Sequence, residues 1–272
     1  PDIASGKEAS DFAKELQLLL RYTGAGEANM EKGEMRVEAN ISVSSVEGKL
    51  GTKTEVKNLN SFKVVEKAIA YEIERQTKLL EKGEKVAQET RGWDEATQKT
   101  YSQRAKESSH DYRYFPDPDI PKLKISEIAD FKKAVLMKEA GELPWEKRVR
   151  LQKDFNMTDK EVAVFVDNPE IGAYFESVIE GNTKIAKLAV NYILTDYIGL
   201  LKKEGKSIET ISAKHFSKLM AMVHDKKLSS RGAKDTLALL MKEDTDPEKL
   251  AEKHGLIQKS DEGEIKKIVK EI

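Results

Sequence analysis

The sequence contains no cysteine. That absence removes disulfides, thiol nucleophiles and thiolate-held zinc, and it suits a reducing compartment, so a cytoplasmic location is expected. No apolar run approaches the length needed to span a bilayer, and no membrane association is expected. Aromatic residues make up only 7% of the chain, too few for an extended base-stacking surface. An excess of either charge is missing too: 47 Lys and Arg residues nearly balance 48 Asp and Glu residues, for a formal net charge of -1. Proteins that wrap nucleic acid by bulk charge are clearly basic, so any contact with RNA should be local. Neither of the common glycine-rich phosphate loops occurs, and a nucleotide would have to be held another way. The four histidines, His110, His215, His224 and His254, are scattered. His215 and His224 fall nine apart on one expected helix, which does not make a metal pair, and surface roles are expected for all four.

What is present is charge in a pattern. Charged residues are 35% of the chain and hydrophobic residues 39%, in keeping with a highly charged globular protein. At 272 residues the chain suits two domains, each able to bury a core. Its first residues, Pro1-Asp2-Ile3, read as a chain entered midway, and a fragment is expected. Between Gly51 and Phe62, Lys53, Glu55 and Lys57 alternate with Thr52, Thr54 and Val56. Upstream, Arg36, Glu38, Asn40 and Ser42 alternate with Val37, Ala39, Ile41 and Val43. Period-two alternation predicts two strands, and a tight turn at Glu47-Gly48 would pair position 40 with 55 and 38 with 57. Paired residues share a face, so Arg36, Glu38, Asn40, Lys53, Glu55 and Lys57 gather on one surface. Such a surface is either a solvated sheet face or a metal–phosphate site, in which acids hold Mg²⁺ and cations hold phosphate oxygens. Periodicity does not choose between them.

Around this pair the remaining elements follow in order. Ser5 and Glu8 read as a capping box opening a helix whose apolar stripe is Phe12, Leu16, Leu19 and Leu20. Asn60 or Ser61 caps a helix over about 62–81, with Val64, Val65, Ala68, Ile69 and Ile73 inward. A second hairpin runs through 86–93 and 97–106, turning at Asp94-Glu95-Ala96. Residues 108–122 read as a loop dense in Asp, Tyr and Pro, and Ser126 caps a helix to about Lys138. From Trp145 onward the pattern is helical, with segments near 145–155, 158–166, 169–179, 183–203, 212–225, 229–241, 246–254 and 261–271. The fold class is therefore α+β: a mixed sheet with helices over 1–125, a connecting helix and linker over 126–144, and an all-α domain over 145–272.

Three further stretches carry chemistry of their own. Asp111-Tyr112-Arg113-Tyr114-Phe115-Pro116-Asp117-Pro118-Asp119 is either a functional loop or a proline-stiffened one packing its aromatics on the sheet. In Gln88-Glu89-Thr90-Arg91, Glu89 and Arg91 share a strand face and read as a surface ion pair of small value. At Leu228 to Lys234, Ser229 caps a helix whose N–H groups, with Arg231 and Lys234, either grip a phosphate or simply cap.

Read together, Met35 to Ser42, Gly51 to Phe62, Gln88 to Arg91 and Asp111 to Asp119 resemble the B subunit of aspartyl/glutamyl-tRNA amidotransferase. The helical part is similar to that family's helical domain, related to the YqeY-like group. The resemblance implies a cradle-like sheet domain that uses ATP and Mg²⁺ to phosphorylate Glu on misacylated tRNA-Gln or Asp on tRNA-Asn. Ammonia from a glutaminase A subunit then displaces the phosphate, within a heterotrimer that includes a small C subunit. By the same resemblance Glu38 and Glu55 match positions near the metal. Lys53, Lys57 and Arg36 are the expected catalytic cations, and Asn58, Asn60, Ser61, Arg91 and Arg113 are expected to bind nucleotide or substrate. Arg231 and Lys234 are placed at the tRNA. The family's Gly-Leu-Glu-Val-His stretch and RNA-contacting tail domain have no counterpart in this sequence, so the isolated chain is expected to be inactive. A non-catalytic adaptor, docking only tRNA or a neighbouring protein of the complex, is the rival reading.

Overall fold

The computed structural model describes residues 2–105 and 117–258, and the chain divides into two compact units, Pro1–Pro144 and Trp145–Ile272. In the first unit, helix α1 (Gly6–Tyr22) precedes strands β1 (Val37–Ile41) and β2 (Thr54–Leu59). Helix α2 (Phe62–Glu81) then leads to β3 (Glu89–Asp94) and β4 (Lys99–Ala105). The strands form one sheet in the order β1-β2-β3-β4. Each hairpin is antiparallel, while β2 and β3 run parallel and are joined by α2 as a crossover. The core lies between α2 and one sheet face, from Ile41, Val56, Leu59, Val64, Val65, Ala68, Ile69 and Trp93.

Asn40 does pair with Glu55, but the alternation fails one step further along. Val37 pairs with Leu59 and Ala39 with Val56, so Lys57 and Asn58 together lie opposite Glu38. This bulge has a physical cause. Unbroken alternation would turn Asn58 into the core and Leu59 out to solvent. The extra residue resets the phase, leaving Asn58 exposed and Leu59 buried. Asn58 takes a φ of 61°, a left-handed conformation that asparagine tolerates better than most side chains.

Helix α1 is capped as the sequence suggests, with Ser5 Oγ accepting from the Glu8 N–H at 3.2 Å. The Glu8 carboxylate reaches one residue further than in a standard box and accepts from Ala4 N–H at 2.8 Å. Its expected apolar stripe holds only in part: Phe12 is 60% and Leu16 38% exposed, whereas Leu19 and Leu20 are half-buried. Gly6, Ser10, Ala13 and Leu18 are buried instead. The reason is close approach to α2: a Cβ on Gly6 would sit 2.4 Å from the Glu66 carbonyl oxygen. Only small residues fit there. Ser61, not Asn60, caps α2, its Oγ accepting from Val64 N–H at 3.2 Å.

Ser126 caps no helix. Residues Ile125–Glu127 and Ala129–Phe131 make single 3-10 turns separated by extended Ile128, and α3 runs only over Lys133–Ala140. None of these three elements has a buried residue, so no packing supports a longer helix there.

The second unit is helical: α4 (Pro144–Phe155), α5 (Asp159–Asp167), α6 (Pro169–Ile179), α7 (Ala186–Tyr192), α8 (Ile198–Glu204), α9 (Ala213–His224), α10 (Ser230–Leu240) and α11 (Pro247–Lys253). The stretch expected as one helix over 183–203 opens with a 3-10 turn and carries a π turn at Ile193–Tyr197 between α7 and α8. The expected segment 261–271 lies outside the described residues. The core is aromatic where α6, the π turn and α9 meet, through Tyr174, Tyr197 and Phe216. The phenols are satisfied: Tyr174 donates to Ile211 O at 2.9 Å and Tyr197 to Ile208 O at 2.7 Å. No described helix is long and apolar enough to cross a membrane.

Candidate functional site

The face of the sheet turned away from α2 carries the charged cluster. Its backbone frame is the strand register, in which Asn40 faces Glu55, and Glu55 faces Thr90 across the parallel pair. On this frame the Lys57 ammonium lies 3.4 Å from Glu38 Oε1 and 3.8 Å from Glu55 Oε1. Both carboxylates therefore point to the same side and converge on one positive charge. The bulge at Asn58 sets Lys57 opposite Glu38, although the two are not a register pair. Glu55 is the better enclosed acid, with its side chain 15% exposed against 46% for Glu38. Thr90 Oγ1 donates to Glu55 Oε2 at 3.0 Å and so fixes one carboxylate oxygen while Oε1 faces the ammonium. Sequence patterning does not single out Thr90. Its one signal is its place between Glu89 and Arg91, on the opposite strand face from both.

Two carboxylate oxygens around a cation are hard donors of the kind that hold Mg²⁺. Among the described residues, no group of three or more His, Asp or Glu side chains is placed to hold a metal. Glu38 and Glu55 by themselves are fewer ligands than a divalent ion takes, and the Lys57 ammonium lies between them.

The other expected site residues fall in different places. Arg36 and Lys53 are exposed and immediately precede β1 and β2. Because those strands are antiparallel, the two cations stand at opposite ends of the pair rather than together. Asn58 is the bulge residue and Asn60 is exposed, while the Ser61 hydroxyl is taken by the α2 cap. Arg113 lies outside the described residues, as does most of the loop that contains it.

Arg91 stands apart from the cluster. The register pairs it with Val56, which puts it on the α2 side of the sheet and not beside Glu55. There it donates to Thr100 Oγ1 at 2.9 Å, to Thr100 O at 2.8 Å and to Glu89 Oε1 at 2.6 Å. It also lies 3.6 Å from Glu72 Oε2. Glu72 is fully buried on α2; it is held by Arg75 and accepts from Thr100 Oγ1 at 2.9 Å and Gln76 Nε2 at 3.1 Å. Gln76, also fully buried, binds Ile41 O at 3.2 Å and the Val43 N–H at 3.0 Å, tying the helix to the end of β1. What read as a small surface ion pair is one edge of an enclosed network. Burial alone would raise the Glu89 carboxyl, but hydrogen bonds from Ser102 and Arg91 outweigh it and hold it below its ordinary range. The hydrogen bond to Glu72 raises Arg75 further and keeps it charged.

In the helical unit Arg231 pairs with Asp235 at 3.0 Å and Lys234 with Asp196 at 2.8 Å. Ser229 Oγ accepts from Gly232 N–H at 3.0 Å, an ordinary cap. Of the histidines, His215 Nδ1 contacts Asp244 Oδ1 at 2.7 Å and His224 Nδ1 contacts Asp225 Oδ1 at 3.1 Å.

Comparison with known proteins bears on both units. The family profile described as "GatB/GatE catalytic domain" matches residues 1–129, and that described as "GatB domain" matches residues 173–272. Similar curated proteins bear the name of the B subunit of aspartyl/glutamyl-tRNA(Asn/Gln) amidotransferase. The one from Trichodesmium erythraeum is 41% identical over 276 residues, covering 100% of this chain and 55% of its own length. That from Persephonella marina is 39% identical over 277 residues, covering 100% of this chain and 57% of its own length. That from Prochlorococcus marinus is 38% identical over 275 residues, covering 100% and 55%. The chain thus spans about half the length of the curated relatives it matches.

Proposed function

Because the chain belongs to the family of the B subunits of aspartyl/glutamyl-tRNA(Asn/Gln) amidotransferases, we propose that its sheet face is part of the site that phosphorylates an aminoacyl-tRNA carboxylate with ATP. The substrate is Glu carried by tRNA-Gln or Asp carried by tRNA-Asn. A carboxylate oxygen attacks the γ-phosphorus and ADP departs. Ammonia from a glutaminase subunit, assembled with a small third subunit, then attacks the acyl carbon and expels phosphate to leave the amide. The observation that carries this reading is the convergence of Glu38 and Glu55 on Lys57.

Two anions, a carboxylate and a triphosphate, must be brought together, and positioning with charge neutralisation supplies most of the rate in such transfers. Glu38 and Glu55 are the side chains that would hold Mg²⁺, which when bound neutralises phosphate oxygens. Lys57 is a cation already seated among the acids, and it neutralises the attacking carboxylate or the phosphoryl oxygens. Thr90 keeps Glu55 from turning away. Arg36 and Lys53, at the two ends of the strand pair, neutralise more distant parts of the same ligands.

The test is transfer of labelled γ-phosphate to misacylated tRNA by the reconstituted complex. Lys57→Ala should cut the phosphorylation rate about hundredfold, the usual size for losing one preorganised charge at a reacting centre. Wild-type rate in that variant would remove Lys57 from the mechanism. A wild-type complex that binds misacylated tRNA yet never phosphorylates it would leave only a docking role.

A further inference from the structure

We propose that Tyr101 is a binding residue beside the charged cluster, and that it stacks the adenine ring of a bound ligand. The inference rests on the reading of the face as an ATP- and tRNA-dependent site. It starts from Gly92, a buried residue in the interior of β3. A glycine there weakens a strand and is kept where something must come close to the backbone. What comes close is Tyr101. A Cβ on Gly92 would lie 2.7 Å from the Tyr101 ring and hydroxyl and 2.5 Å from the Gln103 amide nitrogen. The tyrosine is therefore laid across the strand instead of standing off it. Gln103 Nε2 donates to its hydroxyl at 3.2 Å and helps hold it there. One side of the ring meets Gly92, yet the residue remains 48% exposed.

Its address points to the ligand. Lys57 pairs with Gly92 and Gly92 with Tyr101, so all three occupy one row across the sheet. Two strand spacings, about 9–10 Å, separate the backbone of Lys57 from that of Tyr101. The ring tip lies over Gly92, one strand spacing, ~5 Å, from the Lys57 backbone, so the row sets a half-exposed aromatic beside a cation, the two kinds of group that a nucleotide's base and phosphates take. Aromatic side chains are the common platform for a nucleobase. Within the proposed reaction the adenine ring has two sources, ATP itself and the terminal adenosine of the tRNA.

The experiment uses the complete amidotransferase complex carrying Tyr101→Ala or Tyr101→Phe, with KM for ATP and for misacylated tRNA measured separately. It adds equilibrium binding of AMP against ribose 5-phosphate, which needs no turnover. Alanine should raise one KM about tenfold and weaken AMP or tRNA binding by the same factor; phenylalanine should restore it to within about twofold. A rise confined to KM for ATP, with weaker AMP binding, identifies the nucleotide's adenine. A rise confined to KM for tRNA identifies the terminal adenosine. Unchanged KM values and binding in Tyr101→Ala, in a complex that phosphorylates normally, overturn the inference and leave the assigned reaction standing. Equal loss in both variants overturns stacking in favour of the hydroxyl. A wild-type complex that neither phosphorylates tRNA nor binds AMP better than ribose 5-phosphate overturns both readings.

Discussion

On one face of the sheet Glu38 and Glu55 share Lys57; on the other, Glu72 and Glu89 share Arg75 and Arg91. The acids match, the cations are lysine on one face and arginine on the other, and the larger difference lies in enclosure. Glu72 has no exposed surface and receives hydrogen bonds from Arg75, Gln76 and Thr100, so its acceptor capacity is used up inside the fold. Lys57 and Glu38 stay 38% and 46% exposed, within reach of an incoming ligand. A closed network holds the scaffold, whereas a half-open cluster of the same charges can exchange partners. Ion pairs of carboxylate and cation therefore differ in role by what surrounds them.

The sharpest way to break this comparison is to remove the central acid of the closed face. Glu72→Ala leaves Arg75 without its buried counter-charge and Arg91 with Glu89 alone, and it should cost about 3–5 kcal/mol of stability. Urea unfolding followed through Trp93, which packs in the same core, reads it out. The same measurement on Lys57→Ala should give less than about 1 kcal/mol, as for exposed pairs. Comparable losses from the two variants would erase the distinction between the faces. Next in size is the bulge that fits Lys57 to Glu38. Asn58→Ala puts a less tolerant side chain at φ 61° and should cost about 1–2 kcal/mol, while Asn58→Gly should be near neutral in the same unfolding assay. The smallest effect is acid sensitivity. Glu89 titrates below its ordinary 4.5 when folded, so its contribution is present above that value and disappears as pH falls through and below it. Stability of the first unit should drop in that window, and Glu89→Gln should flatten the drop. A pH profile identical in wild type and Glu89→Gln would take Glu89 out of the network's acid response.

Much of this arrangement is legible in the sequence, for identifiable reasons. Alternation from Arg36 to Ser42 and from Thr52 to Lys57 locates both strands and the Asn40–Glu55 pairing, because period two is a direct consequence of the pleat. The same rule does not see the bulge, since nothing before Asn58 announces that the phase is about to reset. Nor does it place Arg91. Its face depends on how β3 registers with β2 through a crossover, and that register is not local information. Glu72 is invisible because a carboxylate among Tyr71, Ile73 and Glu74 reads as solvated helix until a sheet is laid over it. On α1 Phe12 and Leu16 mislead, since the close contact at Gly6 selects for smallness and not for hydrophobicity. The helical unit is easier, because Gly, Asn, Asp and Pro punctuate short helices whose ends are set by local chemistry.

The parallel union of β2 and β3 carries a kinetic consequence. Neighbouring parallel strands cannot be zipped by a tight turn, so Glu55 meets Thr90 only after the chain has travelled out along α2 and back. Contacts of that separation in sequence raise contact order and come late in folding. The two hairpins can nucleate independently, but the surface that brings Glu38, Glu55, Lys57 and Tyr101 onto one plane exists only once the last seam has closed.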